Sequence, residues 1–162
     1  MFKKILVPLD GSELAANILP NVIEVAKCMN SQVTLLHVCY FPMVAATESL
    51  PPKMAREAVD KEAKECAIFL GKAAKELQLQ GLTVNHACVE GVPAREIIAY
   101  ADANKMDLIA MATHGRGEVA WVLGSTAEQV VAHATVPTLL FRVMETKVPG
   151  YKDTQKWREG LP

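Results

Sequence analysis

The chain has almost no surplus of either charge. Its 162 residues carry 17 Lys and Arg against 18 Asp and Glu, a net of −1 at pH 7. A chain so balanced lacks the field that holds a bulk polyanion, so neither nucleic acid nor an anionic membrane surface is expected as a partner. No apolar run approaches the ~20 residues that span a bilayer. The first residues, Met1, Phe2, Lys3, Lys4 and Ile5, lack the apolar region and small-residue cleavage site of a signal peptide, so a cytoplasmic location is expected. Internal repeats, domain linkers and low-complexity segments are also missing.

The four cysteines, Cys28, Cys39, Cys66 and Cys88, show no C-x-x-C spacing. In a cytoplasmic chain they read as small buried hydrophobes. His37-x-Cys39 and His86-x-Cys88 each put a His and a Cys on one strand face. Zinc-type ligands would converge there if the two strands were neighbours. Structural zinc sites favour loops and short-spaced turns, so packing is the better reading and no metal site is assigned.

What is present is a core. Hydrophobic residues make up 51% of the chain against 22% charged, enough for one domain of this length. Strand one is expected over residues 3–9, ending where Pro8 removes a ladder donor. Asp10, Gly11 and Ser12 make a turn, with Ser12 as N-cap. Helix one follows over about residues 13–29, kinked at Pro20. Strand two spans residues 32–38, and an irregular stretch over 39–52 has the length of a lid. Helix two, residues 53–80, carries an apolar stripe through Cys66, Leu70, Ala73 and Leu77, and Gly81 ends it. Strand three (83–89), a turn at Glu90 to Pro93, and helix three (94–104) come next. Pro137 introduces strand five, residues 138–143, opened by Thr138 and closed by Val143. Strict alternation of strand and helix predicts an α/β fold: a three-layer Rossmann-like sandwich with a five-stranded, mainly parallel sheet. The domain should cover residues 1–143, leaving a charged tail over 144–162 with Trp157 as its apolar anchor.

The stretch from Asp107 to His133 organises the rest. Leu108 to Ala112 is an unbroken apolar run, suited to a strand buried on both faces. Thr113, His114, Gly115, Arg116 and Gly117 form a turn rich in small residues. Gly124, Ser125 and Thr126 then open a helix running through Ala134, with Ser125 or Thr126 as its cap. A strand, a glycine-rich loop and an open helix N-terminus make an anion site, and phosphate is the expected anion. Gly115-x-Gly117-x-x-Ala120 fits the dinucleotide fingerprint formally, but no carboxylate stands about 20 positions on to hold a ribose. Asp10, at the carboxyl end of strand one, reads either as a ligand contact or as a turn residue.

With these residues placed, the chain resembles the universal stress protein family over roughly residues 1–143. The resemblance rests on four segments: Lys3 to Ser12; Leu36-His37-Val38; Glu90-Gly91-Val92-Pro93-Ala94 with Ile97 and Ile98; and Thr113-His114-Gly115-Arg116 through Gly124-Ser125. It implies adenine nucleotide binding, ATP above all, with magnesium or manganese on the phosphates. Pro8, Leu9 and Asp10 would hold the ribose and part of the adenine, and the Val38 backbone would read the adenine edge. Ala112, His114 and Gly115 would approach the ribose and phosphates. Arg116 would offset phosphate charge, and Gly124, Ser125 and Thr126 would bind the outer phosphates. Nucleotide-binding members carry Gly-x-x-Gly, nine residues, then Gly-Ser or Gly-Thr. Here Ala112 replaces the first glycine, and eight residues separate Gly115 from Gly124. The resemblance also implies a homodimer through strand five. No catalytic residue can be named. A nucleotide-dependent stress or signalling module is expected. The alternatives are a nucleotide-free dimeric interaction module and a slow ATP hydrolase or nucleotidyl-transfer enzyme.

Overall fold

Five β-branched or aliphatic-rich segments become strands: Lys4–Pro8 (β1), Gln32–Cys39 (β2), Val84–Glu90 (β3), Leu108–Ala112 (β4) and Thr138–Phe141 (β5). The computed structural model describes residues 2–39, 52–114 and 123–143. The expectations for the 39–52 segment beyond Cys39, for Gly115 and Arg116, and for the tail therefore lie outside the described residues. The strands form one parallel sheet in the order β3-β2-β1-β4-β5. The helices are Glu13–Ala16 (α1), Leu19–Met29 (α2), Pro52–Leu79 (α3), Pro93–Ala103 (α4) and Ser125–His133 (α5).

Side-chain alternation along the strands builds two cores. Ile5, Val7, Val33, Leu35, Leu108 and Ala110 face Val22 and Ala26 of α2 and Leu70 and Leu77 of α3. Leu6, Leu36, Ile109 and Met111 face Ile97 and Ala101 of α4 and Ala127 and Val130 of α5. The topology dictates this division. The chain steps outward from β1 to β2 to β3, then returns to β4 beside β1. Right-handed crossovers therefore put α1 to α3 on one face and α4 and α5 on the other. The strand order reverses between β1 and β4, and a crevice opens there at the carboxyl ends. All five residues of β4 are buried, as their continuous apolar run requires.

Helix one differs from the expectation of a single kinked helix. The chain breaks at Asn17 and Ile18, and Pro20 falls in the first turn of α2. Proline has no N–H to give and none is needed there, so restarting the helix avoids the cost of an interior proline. Ser12 does cap α1, its Oγ accepting from the Ala15 N–H at 3.1 Å. Gly81 ends α3 at φ 86°, with the Leu82 N–H bonded to the Leu77 carbonyl. Strand five stops at Phe141, short of Val143.

At the opposite end of the sheet from the crevice, one Asp107 carboxylate oxygen accepts both the Lys3 N–H (2.8 Å) and the Lys4 N–H (2.9 Å). These backbone bonds hold its pKa below the usual carboxylate value. A lowered folded-state pKa stabilises the fold above the ordinary carboxylate range, and that stability is lost as pH falls through the folded value. Asp107→Ala is expected to cost about 1 kcal/mol at pH 7, the exposed site discounting two charge-assisted bonds. Urea titrations at descending pH should show wild type and variant converging in acid. A constant gap down to pH 2 would refute the assignment.

Candidate functional site

The crevice at the β1/β4 reversal is a cleft of about 970 Å³. That volume is at the upper end of the range for small-molecule and cofactor sites. Four strand and helix ends converge on it. Pro8, Leu9 and Asp10 come from the end of β1, and His37 and Val38 from the end of β2. Ala112, Thr113 and His114 leave β4, and Gly124 and Thr126 start α5. The β1 end is fixed by the Leu9 N–H donating to the Leu36 carbonyl at 2.8 Å. The Gly124 N–H donates to the Thr113 carbonyl at 2.9 Å and closes the base of the β4-to-α5 connection.

Asp10 is a turn residue as well as a cleft residue. Its Oδ1 accepts from the Ser12 N–H at 2.9 Å and from the Ser12 hydroxyl, so the carboxylate is oriented by its own turn. His114 is buried, and its Nδ1 lies 2.8 Å from the Thr113 hydroxyl. Gly124, not Ser125 or Thr126, is the N-cap of α5, and it has no side chain with which to bond the first-turn N–H groups. Glycine at the cap keeps side-chain bulk away from the first turn of α5 beside the cleft. Glu128 bonds back to the Gly124 carbonyl as the first helical turn.

The structure thus brings Pro8, Leu9, Asp10, Val38, Ala112, His114, Gly124 and Thr126 to one cleft. Ser125 is exposed in the first turn of α5 and is not among the lining residues. Gly115 and Arg116 lie outside the described residues.

Sequence reasoning missed the α3 wall: Lys61, Glu62, Glu65, Cys66 and Phe69 also line the cleft. Cys66 was visible as part of the apolar stripe, but nothing in a stripe says which strand ends it crosses. His37 was missed as a site residue as well. Its Nδ1 lies 2.7 Å from the Leu9 carbonyl oxygen, and the Phe69 ring meets it edge-on at 6.4 Å. A carbonyl only accepts, so Nδ1 carries the proton and Nε2 the lone pair.

The cysteines are not four equivalent packing residues. Cys66 of α3 and Cys88 of β3 form a disulfide, with their Cα atoms 6.4 Å apart. Cys39 is a buried free thiol and Cys28 an exposed one. Burial pushes the Cys39 thiol pKa up, and the Glu62 and Glu90 carboxylates add to that. His86 is exposed on the outermost strand.

Comparison with known proteins agrees with this geometry. The model of the universal stress protein family matches residues 1–142. The chain is 32% identical over 144 residues to universal stress protein MJ0531 of Methanocaldococcus jannaschii, covering 88% of this chain and 83% of that one. It superposes on the solved structure of hypothetical protein MJ0577 with a TM-score of 0.79 at 30% identity, covering 90% of this chain and 99% of the other. The sequence relative of that designation is universal stress protein MJ0577, from the same organism. A universal stress protein from Archaeoglobus fulgidus, solved in complex with dAMP, shares the fold at 18% identity and a TM-score of 0.59. That likeness covers 86% of this chain and 97% of that one. The five-stranded parallel sandwich and the match over nearly the whole described chain lead to one assignment: the protein belongs to the universal stress protein family.

Proposed function

We propose that the chain is a nucleotide-dependent stress or signalling module that binds ATP in the β1/β4 cleft. The observation that carries this reading is the convergence of a glycine-capped helix N-terminus with the ends of β1, β2 and β4 on one cavity of about 970 Å³. Adenine and ribose would lie between Leu9, Asp10 and the Val38 backbone. The phosphates would meet Ala112, Gly115 and the α5 start at Gly124 to Thr126, with His114 beneath them and Arg116 offsetting charge. The dAMP-bound relative supports the chemistry, since a protein of this fold admits an adenine nucleotide. Magnesium or manganese prefers oxygen donors, and Glu62 and Glu65 supply carboxylates along the same cleft. Glu62 and Glu65 are the residues that would hold such an ion, which would offset phosphate charge. No residue is assigned as nucleophile or general base, so catalysis beyond slow hydrolysis is not part of the proposal.

Protein purified without added nucleotide, then denatured, should release adenine nucleotide to chromatography. Stripped protein should bind ATP saturably at micromolar concentration in calorimetry. No released nucleotide and no binding heat would end this reading. The eight-residue spacing from Gly115 to Gly124 would then stand as the reason, and a nucleotide-free interaction module would take its place.

The module would act in the cytoplasm as a homodimer. In β5, Leu139, Leu140 and Phe141 are half-buried on the outer strand, a surface that a second copy can cover. Light scattering at micromolar concentration should give twice the chain mass, and a monomer there would contradict the dimer.

A further inference from the structure

Beside the cleft, the fold gathers sulfur and imidazole groups in a way that nucleotide binding does not use. A ring nitrogen of His37, the Cys39 Sγ and the Cys66 Sγ all lie within 4.8 Å of one another. His37 and Cys39 sit two residues apart on β2 and so share a face. Cys88 is directly across from His37 in the β2–β3 register, and its sulfur is joined to that of Cys66. One helix and two adjacent strands therefore bring three cysteines and one histidine to a single point. We propose that His37, Cys39, Cys66 and Cys88 form a Cys₃His site for a zinc-class ion, closed to metal while the Cys66–Cys88 disulfide stands and opened by its reduction.

Ligand geometry supports the assignment. Tetrahedral zinc with sulfur at ~2.3 Å and nitrogen at ~2.0 Å places its ligand atoms about 3.5 Å apart. The observed cluster needs to contract by about 1 Å, within the reach of cysteine rotamers. The histidine is already held as a metal ligand should be. Its Nδ1–H is fixed on the Leu9 carbonyl, which leaves the Nε2 lone pair and orients the ring. The field also has the right sign, because Glu62 and Glu90 lie close enough to act on Cys39 and favour a cation beside it. The histidine on β3 does not take part, since His86 is exposed. Cys66, from the helix above, supplies the ligand instead.

The chemistry balances simply. A dithiol donor attacks the disulfide, the S–S bond breaks, and two S–H bonds form as the donor becomes a disulfide. Metal binding then displaces three thiol protons to solvent, leaving three thiolates and a neutral imidazole on the ion. In the oxidised protein only His37 and Cys39 remain as ligands, which is too few to hold it.

The test uses the full chain, stripped of metal and reduced with a phosphine, which takes oxygen from water and leaves two thiols. Cobalt(II) is titrated in the absence of air and nucleotide. The expected result is saturation at one equivalent, with a thiolate-to-cobalt charge-transfer band and the intense visible bands of a tetrahedral ion. Zinc should displace both. The unreduced protein should bind at least 100-fold more weakly. Cys39→Ser should lower affinity at least tenfold and remove about a third of the charge-transfer intensity. A reduced wild-type protein without these bands, or bands of full strength in Cys39→Ser, would overturn the proposal. Because the readout contains no nucleotide, failure here leaves the ATP reading untouched, and the reverse also holds.

Discussion

Gly124→Arg is expected to weaken ATP binding at least 100-fold, a loss of about 2.7 kcal/mol or more. Gly124 is the buried N-cap of α5, and its N–H is already spent on the Thr113 carbonyl. Phosphate would meet the N–H groups of the residues that follow, and only if nothing stands in front of them. A long side chain at the cap fills that space. Its positive charge does not compensate, because donors must lie within about 3 Å of the phosphate oxygens and bulk keeps them apart. The glycine φ is −58°, a value every L residue adopts, so the effect should not come from a strained backbone. Gly124→Ala separates bulk from identity and should cost tenfold or less. Calorimetry on stripped protein reads both variants, and far-ultraviolet circular dichroism checks that α5 still forms. Wild-type affinity in Gly124→Arg would remove the phosphates from α5.

Leu70→Ala is expected to destabilise the fold by about 3 kcal/mol. Leu70 is 0% exposed, packed between α3 and the sheet, and its neighbour Ile68 is 60% exposed. Truncating Leu70 loses transfer energy and leaves a cavity, whereas Ile68→Ala should stay within about 0.5 kcal/mol. Urea unfolding at fixed redox state should show a lower midpoint for the first variant with the slope unchanged. Equal effects of the two would mean that α3 is rotated from the observed phase. That outcome would matter for the site as well, since Cys66 lies one turn before Leu70 on the same face.

Much of the fold could be read from residue patterns. The continuous apolar run of β4, the β-prone Ile5, Leu6 and Val7 of β1 and the glycine after α3 each have one cheap conformation. Strict alternation of strands and helices then leaves few topologies. The break in helix one was not legible in the same way. Apolar periodicity continues on both sides of Pro20, and both a kink and a restart satisfy proline. The restart wins because Pro20 can occupy a first turn.

In the site, the residues at strand ends were legible because the carboxyl ends of a parallel sheet must face one side. Asp10 was placed on that ground, whereas Val38, Ala112 and His114 were placed by the family resemblance. The α3 wall and the disulfide were not legible. Cys66 and Cys88 are 22 residues apart with no motif between them, and their meeting depends on the phase of α3 over β3. Periodicity gives the face of a helix but not its register against a strand. β2 and β3 are neighbours and their register pairs His37 with Cys88, but His86 is exposed, so the two His-x-Cys pairs do not converge as a set of four. What the strand pattern lacked was the third dimension, the helix lying across them.

The two outer strands of the sheet differ in chemistry, and that difference bears on how many copies can assemble. β3 presents exposed Asn85, His86 and Glu90, whereas β5 offers Leu139, Leu140 and Phe141. Among the described residues, the apolar outer strand is β5. The proposed symmetric pairing through β5 would consume that side in both copies and leave the polar strands facing water. In the proposed dimer growth would therefore terminate at two, because an open-ended fibre requires a sticky surface at each end of every subunit.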